Sequence, residues 1–203
     1  MKYPDREEFV NGCKAFETYE KRDAMYKVAT FLTSYYWGKP SDMANALGVL
    51  LLTWNQAFYR YGSLDFDRLQ NTIEENLPIL EKFRSKDISN FSDFEESIIN
   101  NLFNGFLDAL QQTTNSNKIR KSPVAVAKAL HLLAPGFFPI WDRAIAEAYK
   151  CNYQTNPAKA YYGFCIIIKS TAEEVKDYIT TSNKTIIKRI DEYNYSKYTK
   201  GWI

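Results

Sequence analysis

Residues 121–150 read KSPVAVAKALHLLAPGFFPIWDRAIAEAYK, and the punctuation of this stretch predicts two helices joined by a short apolar crossing. Ser122 can cap a helix by accepting from a free amide of its first turn. Pro123 suits the first helical position, where no amide partner is needed. Val126, Leu130 and Leu133 follow at i, i+4 and i+7 as one apolar stripe, and Lys128 and His131 fall on the other side. The helix should stop at Ala134, because Pro135 disfavours helical geometry before it and Gly136 favours a turn. Phe137, Phe138, Ile140 and Trp141 then cross to Asp142, which stands where a helix over 143–149 would be capped.

The same 3.6-residue period recurs on both sides. Pro4 and Asp5 open a first helix with Phe9, Cys13 and Phe16 on one face. A second helix over 23–37 would turn Met25, Val28, Ala29, Leu32 and Tyr36 inward. The most apolar helix, over 43–61, would be capped by Ser41 or Asp42 and lie centrally, being apolar on more than half its circumference. A helix over 64–83 should break or kink at Leu77, before Pro78. Ser92 and Glu95 have the spacing of a capping box, opening a helix over 94–111 with Phe94, Ile98, Leu102 and Phe106 buried. Pro157 opens another helix, running toward residue 178 and broken at 182–183, and a last one is expected over 185–198. No Asn-Gly or Asp-Gly hairpin and no long strict alternation occur, so the expected class is all-α, a compact protein of eight to ten helices.

At 203 residues the chain can bury one good core. Its 45% apolar and 25% charged residues exclude general disorder. Residues 1–110 hold 12 Lys+Arg against 17 Asp+Glu, and residues 111–203 hold 14 against 7, so the halves carry −5 and +7. The charge changes at the polar run 113–118, TTNSNK, which divides an acidic helical lobe (1–112) from a basic one (118–203) unless the chain is one continuous domain. An anionic partner for the basic half, or mutual attraction of the lobes, would each account for the asymmetry. The basic, Tyr-rich tail 184–200 reads first as a solvated amphipathic helix and second as a nucleic-acid patch.

Three cysteines and one histidine give no zinc pattern and no disulfide framework. No Walker loop, GxGxxG, HExxH or GxSxG occurs. Neither a signal peptide nor an 18-residue apolar run is present, so a cytoplasmic protein with reduced cysteines, no metal, no cofactor and no membrane partner is expected.

The layout AVAKALHLLAPGFFPIWDRAI resembles the segment of the helix-hairpin-helix DNA glycosylase superfamily that runs from its second hairpin helix to its aspartate. The resemblance spans roughly residues 115–150. It implies DNA as partner and N-glycosidic base release. Asp142 would stabilise an oxocarbenium-like state, and Lys121 or Lys128 would be the nucleophile where a lyase step occurs. His131, Phe138, Trp141, Arg143 and Arg120 would contact the substrate. The family's glycine-rich hairpin corresponds to 115–122, NSNKIRKS, which has no glycine, and Val124 stands at the lysine's place. Read without the family, Asp142 is a helix cap, His131 a partly buried structural histidine or a polar surface residue, Lys121 and Lys128 solvated charges, and the aromatic run a clamp. A non-enzymatic helical interaction protein would keep the same layout for folding alone.

Overall fold

The computed structural model describes residues 3–114, 118–178 and 183–203. Among them are ten α-helices and a single two-stranded ribbon. The helices are α1 (Arg6–Tyr19), α2 (Asp23–Tyr35), α3 (Pro40–Trp54), α4 (Gln56–Tyr59), α5 (Phe66–Arg84), α6 (Glu96–Ala109), α7 (Pro123–Leu133), α8 (Arg143–Ala148), α9 (Pro157–Val175) and α10 (Ile186–Asn194). A π-helical turn, Tyr195–Lys200, continues α10 and ends at Gly201, whose φ of 62° is left-handed. The chain is all-helical, as its periodicity predicts.

Helix starts follow the side-chain rule. Asp5, Asp65, Ser122, Asp142, Asn156 and Thr185 each accept from an amide three residues on. Each such cap contributes about 1 kcal/mol. Half of the Ser92–Glu95 box forms: the Ser92 amide donates to Glu95 Oε2 at 3.1 Å, Ser92 Oγ accepts from the Phe94 amide instead of that of Glu95, and the chain leads through a 3₁₀ turn into α6.

Several expectations are corrected. The 43–61 helix starts earlier, at Pro40, and breaks at Asn55 before resuming as α4. The break frees the Trp54 carbonyl, and Lys128 Nζ reaches it at 2.7 Å. Pro78 does not interrupt α5; both Pro78 and Glu74, whose carbonyl loses its partner, are exposed, so water can take the missing bond. The inward face of α2 is Asp23, Tyr26, Ala29 and Thr33, while Met25 and Val28 are exposed. Phe94 is 94% exposed and Ile98 also faces out; α6 buries Ile99, Leu102, Phe103 and Phe106 instead. At the polar run 113–118 the chain pairs as a ribbon, β1 (Gln112–Thr113) against β2 (Ile119–Arg120), and residues 115–117 lie outside the described residues. The break expected at 182–183 likewise falls partly on Ser182, outside them.

Two features position the site. The helix α7 is buried on every side, packed by α2, α3 and α6, so Lys128 and His131 are enclosed rather than turned to solvent. The aromatic crossing is a clamp: Phe137 and Phe138 pack on Phe83, Trp141 Nε1 donates to the Pro123 carbonyl at 3.2 Å, and Tyr161 donates to the Pro139 carbonyl at 2.7 Å. It fixes the distance between α7 and α8, and so the place of Asp142. The helix α1 packs on α10 and the π-helix, where Ser196 Oγ donates to the Gly12 carbonyl at 2.7 Å. A Cβ at Gly12 would stand 2.8 Å from a ring carbon of Tyr193, so this close approach needs glycine.

Candidate active site

A cavity of about 700 Å³ opens where four parts of the chain meet. The helix α1 and the residues after it give Phe16, Glu20 and Arg22. The α3–α4 break gives Trp54, Asn55 and Phe58. The ribbon, α7 and α8 give Arg120, Ser122, Lys128, Asp142 and Arg143. Tyr153 closes one edge, and α10 with the π-helix gives Asp191, Tyr195 and Thr199.

Of the residues singled out in the sequence, Lys128, Asp142, Arg120 and Arg143 come together here. The other four do not line it. Lys121 is on the surface, ion-paired with Asp108. His131 is fully buried and engaged at both nitrogens, to the Tyr26 hydroxyl and to the Phe138 carbonyl, each at 2.8 Å. Phe138 and Trp141 are enclosed in the clamp. No ligand could touch these three without opening the core.

Asp142 is a helix cap and also a wall of the cavity. Its Oδ1 accepts from the Ile145 amide at 2.9 Å, and its Oδ2 accepts from Thr199 Oγ1 at 2.6 Å. Lys128 is almost wholly enclosed, with Nζ 2.7 Å from the Trp54 carbonyl and 3.5 Å from Asn55 Oδ1. Burial pushes its ammonium down from the ordinary lysine value to about 8, although Asp142 and then Asp191 pull the other way. The lowering makes the neutral amine accessible closer to neutrality than for an exposed lysine.

The rim is tied by a polar knot. Arg22 bonds Glu20 through Nε and Nη2, both at 3.0 Å, and Tyr195 donates to Glu20 Oε2 at 2.8 Å. Burial would raise the Glu20 carboxyl, but these hydrogen bonds hold it down at about 2. Beneath the floor, Lys188 is 1% exposed. Its Nζ lies 2.8 Å from Asp191 Oδ2 and 4.3, 4.6 and 5.2 Å from the ring centres of Phe16, Tyr26 and Trp54. Burial lowers this lysine, yet Asp191, Glu192 and Asp23 outweigh it and keep it charged. The tail is thus neither a solvated helix nor an open basic patch at this point, since Lys188, Asp191 and Glu192 are all buried.

Sequence reading missed Glu20, Trp54, Asn55, Asp191, Tyr195 and Thr199. Asp191, Tyr195 and Thr199 do fall in the basic, Tyr-rich tail 184–200, but nothing local sets them apart within it. Among the described residues no helix is long and apolar enough to cross a membrane, and no group of three or more His, Cys, Asp or Glu is placed to hold a metal. No protein-family model, curated protein or solved structure matches the chain.

Proposed function

We propose that the chain acts on nucleic acid as a base-excision-type N-glycosylase, with the cavity receiving a nucleobase turned out of its stack. The observation that carries this reading is the convergence of Lys128 and Asp142, fourteen residues apart, on one aromatic-walled cavity, where burial also lowers the lysine. A flipped base needs stacking surfaces, which Trp54, Phe58 and Tyr153 supply. Arg120 at the mouth suits a flanking phosphate, and Arg143, ion-paired with Glu147 at 2.7 Å, would have to exchange that partner to take another. The Lys128 amine would attack the anomeric carbon as the bond to the base breaks. The Asp142 carboxylate would stabilise the positive charge developing on the sugar.

Duplexes carrying 8-oxoguanine, uracil, alkylated bases or abasic sites test this, with borohydride trapping of a covalent adduct and base release as readouts. Lys128→Gln should abolish trapping, Asp142→Asn should slow base release by orders of magnitude while still capping α8, and Lys121→Ala should leave both intact. No trapping and no release by the wild-type protein on any duplex would sink the reading.

A second reading rests on α2, where Phe31 and Tyr35 are 65% and 70% exposed and Met25 and Val28 share their outer side. An apolar stripe of this kind favours a helical interaction protein. Loss of a partner on Phe31→Glu, with no nucleic-acid activity in the wild type, would favour it.

A further inference from the structure

Three carboxylates wall the cavity, and they differ in what their oxygens do. Glu20 is saturated by Arg22 and Tyr195. Asp142 has one donor on each oxygen, the Ile145 amide on Oδ1 and Thr199 on Oδ2. Asp191 gives Oδ2 to Lys188, and Oδ1 has no hydrogen bond among the described residues. Asp191 is only 4% exposed, and it lines the cavity. Asp191 Oδ1 is not one of the fully enclosed polar atoms that lack a partner, so it keeps access to the cavity, and a ligand donor there would replace water rather than relieve a buried charge. The ion pair with Lys188 and the rigid α10 hold that oxygen in place before any ligand arrives.

We infer that Asp191 Oδ1 is a recognition group for a ligand edge made of adjacent N–H donors, and that the cavity accordingly selects a guanine-type base. This rests on the reading of the cavity as a nucleobase site. A carboxylate can only accept. Guanine sets a ring N–H beside an exocyclic amino group, so both neighbouring atoms donate toward one anion. Adenine places a ring lone pair beside its amino group, and uracil flanks its single N–H with two carbonyls. Each would set a lone pair against Asp191. The cavity volume of about 700 Å³ admits a purine with its sugar, and Trp54 offers a ring face whose orientation the Lys188 cation beneath it helps to fix.

Calorimetric titration of the full chain with guanosine, inosine and adenosine tests the inference without a variant. Guanosine should bind at least about tenfold more tightly than inosine, which lacks the exocyclic amine, and than adenosine, since one charge-assisted hydrogen bond is at stake. Asp191→Asn, which keeps the shape and an acceptor for Lys188, should remove that preference. Equal binding of the three nucleosides, no binding of any, or an unchanged preference in a folded Asp191→Asn protein would each overturn it. Guanosine-selective binding without borohydride trapping would sink the glycosidic chemistry and leave this inference standing. Trapping on damaged duplexes with no preference for guanine-type bases would do the reverse.

Discussion

Thr199 Oγ1 lies 2.6 Å from Asp142 Oδ2, so a hydroxyl of the terminal π-helix holds the second oxygen of a carboxylate 57 positions upstream. The first oxygen is already committed to the α8 amide at Ile145. The carboxylate therefore has one orientation, set by two elements far apart in the chain. Thr199→Val should leave Oδ2 without its donor, costing about 1–2 kcal/mol in denaturant unfolding. Base release in single turnover should fall about tenfold or more, and Thr199→Ser should restore both. A valine variant with wild-type stability and rate would deny Thr199 this role.

The lowered Lys128 ammonium predicts a pH dependence with a definite sign. Attack needs the neutral amine, so trapping should rise about tenfold per pH unit below about 8 and level off above it. Stability runs the same way. The folded chain holds this proton more weakly than the unfolded chain does, so the penalty is full below about 8 and fades as pH rises toward the ordinary lysine value of 10.5. A trapping rate that is flat from pH 6 to 9 would exclude Lys128 as the nucleophile.

The single histidine makes an unambiguous nuclear magnetic resonance probe. The Phe138 carbonyl can only accept, so Nδ1 of His131 carries the proton and Nε2 accepts from Tyr26. Burial, against the pull of that carbonyl bond, pushes the imidazole down to about 3. At pH 5 the ring should be neutral and protonated at Nδ1. Because the folded value is lowered, His131 opposes folding as pH falls from 6.5 toward 3. A midpoint near 6.5 in the folded protein would mean that the ring is reached by water.

Lys188 should be costly to remove. Asp191 and Glu192 are buried beside it, and Asp23 Oδ1, 3.8 Å away, has no hydrogen-bond partner. Lys188→Met would leave the buried Asp191 without its ion-pair partner, while Glu192 keeps Lys184 and Arg189 and Asp23 keeps Lys27, and a loss of about 3 kcal/mol is expected from the chemical unfolding midpoint. A loss below about 1 kcal/mol would show that water reaches the cluster. Lys197→Met, on a half-exposed pair with Glu8, is the control and should cost at most about 1 kcal/mol.

The fold was legible because helix signals are local. Ser122 with Pro123, Asp5 and Pro157 each mark a start within a few residues of the observed one. Lys128 and Asp142 were legible too, because both belong to the 121–150 stretch. What the sequence hides is decided by partners distant in the chain. Asp23 looks like a solvated first-turn acid, yet it faces inward because Lys188 is there. Phe94 looks like core, but the 3₁₀ turn at Asp93–Glu95 shifts the phase of the helix that follows. Lys188 and Asp191, three apart on a charged helix, have the pattern of a surface ion pair, and only the packing of α1 and α2 over them puts Asp191 on the cavity wall and Lys188 beneath it. Lys121, nearer in register to the place a lysine was expected, finds Asp108 on the surface instead.

The bond from Ser196 to Gly12 joins residues 184 positions apart. Closing so large a loop carries an entropic penalty that grows only slowly with length, but it is met before any contact inside the loop is rewarded. The α3–α7 layer can assemble without it, whereas the wall made by Phe16, Glu20, Asp191, Tyr195 and Thr199 cannot. The expected order of assembly is a scaffold that forms early and a chamber that forms last. By the same reasoning the chamber opens first on partial unfolding: amide exchange at 191–200 should outpace that of α7, and mild denaturant should abolish ligand binding while most helical signal survives.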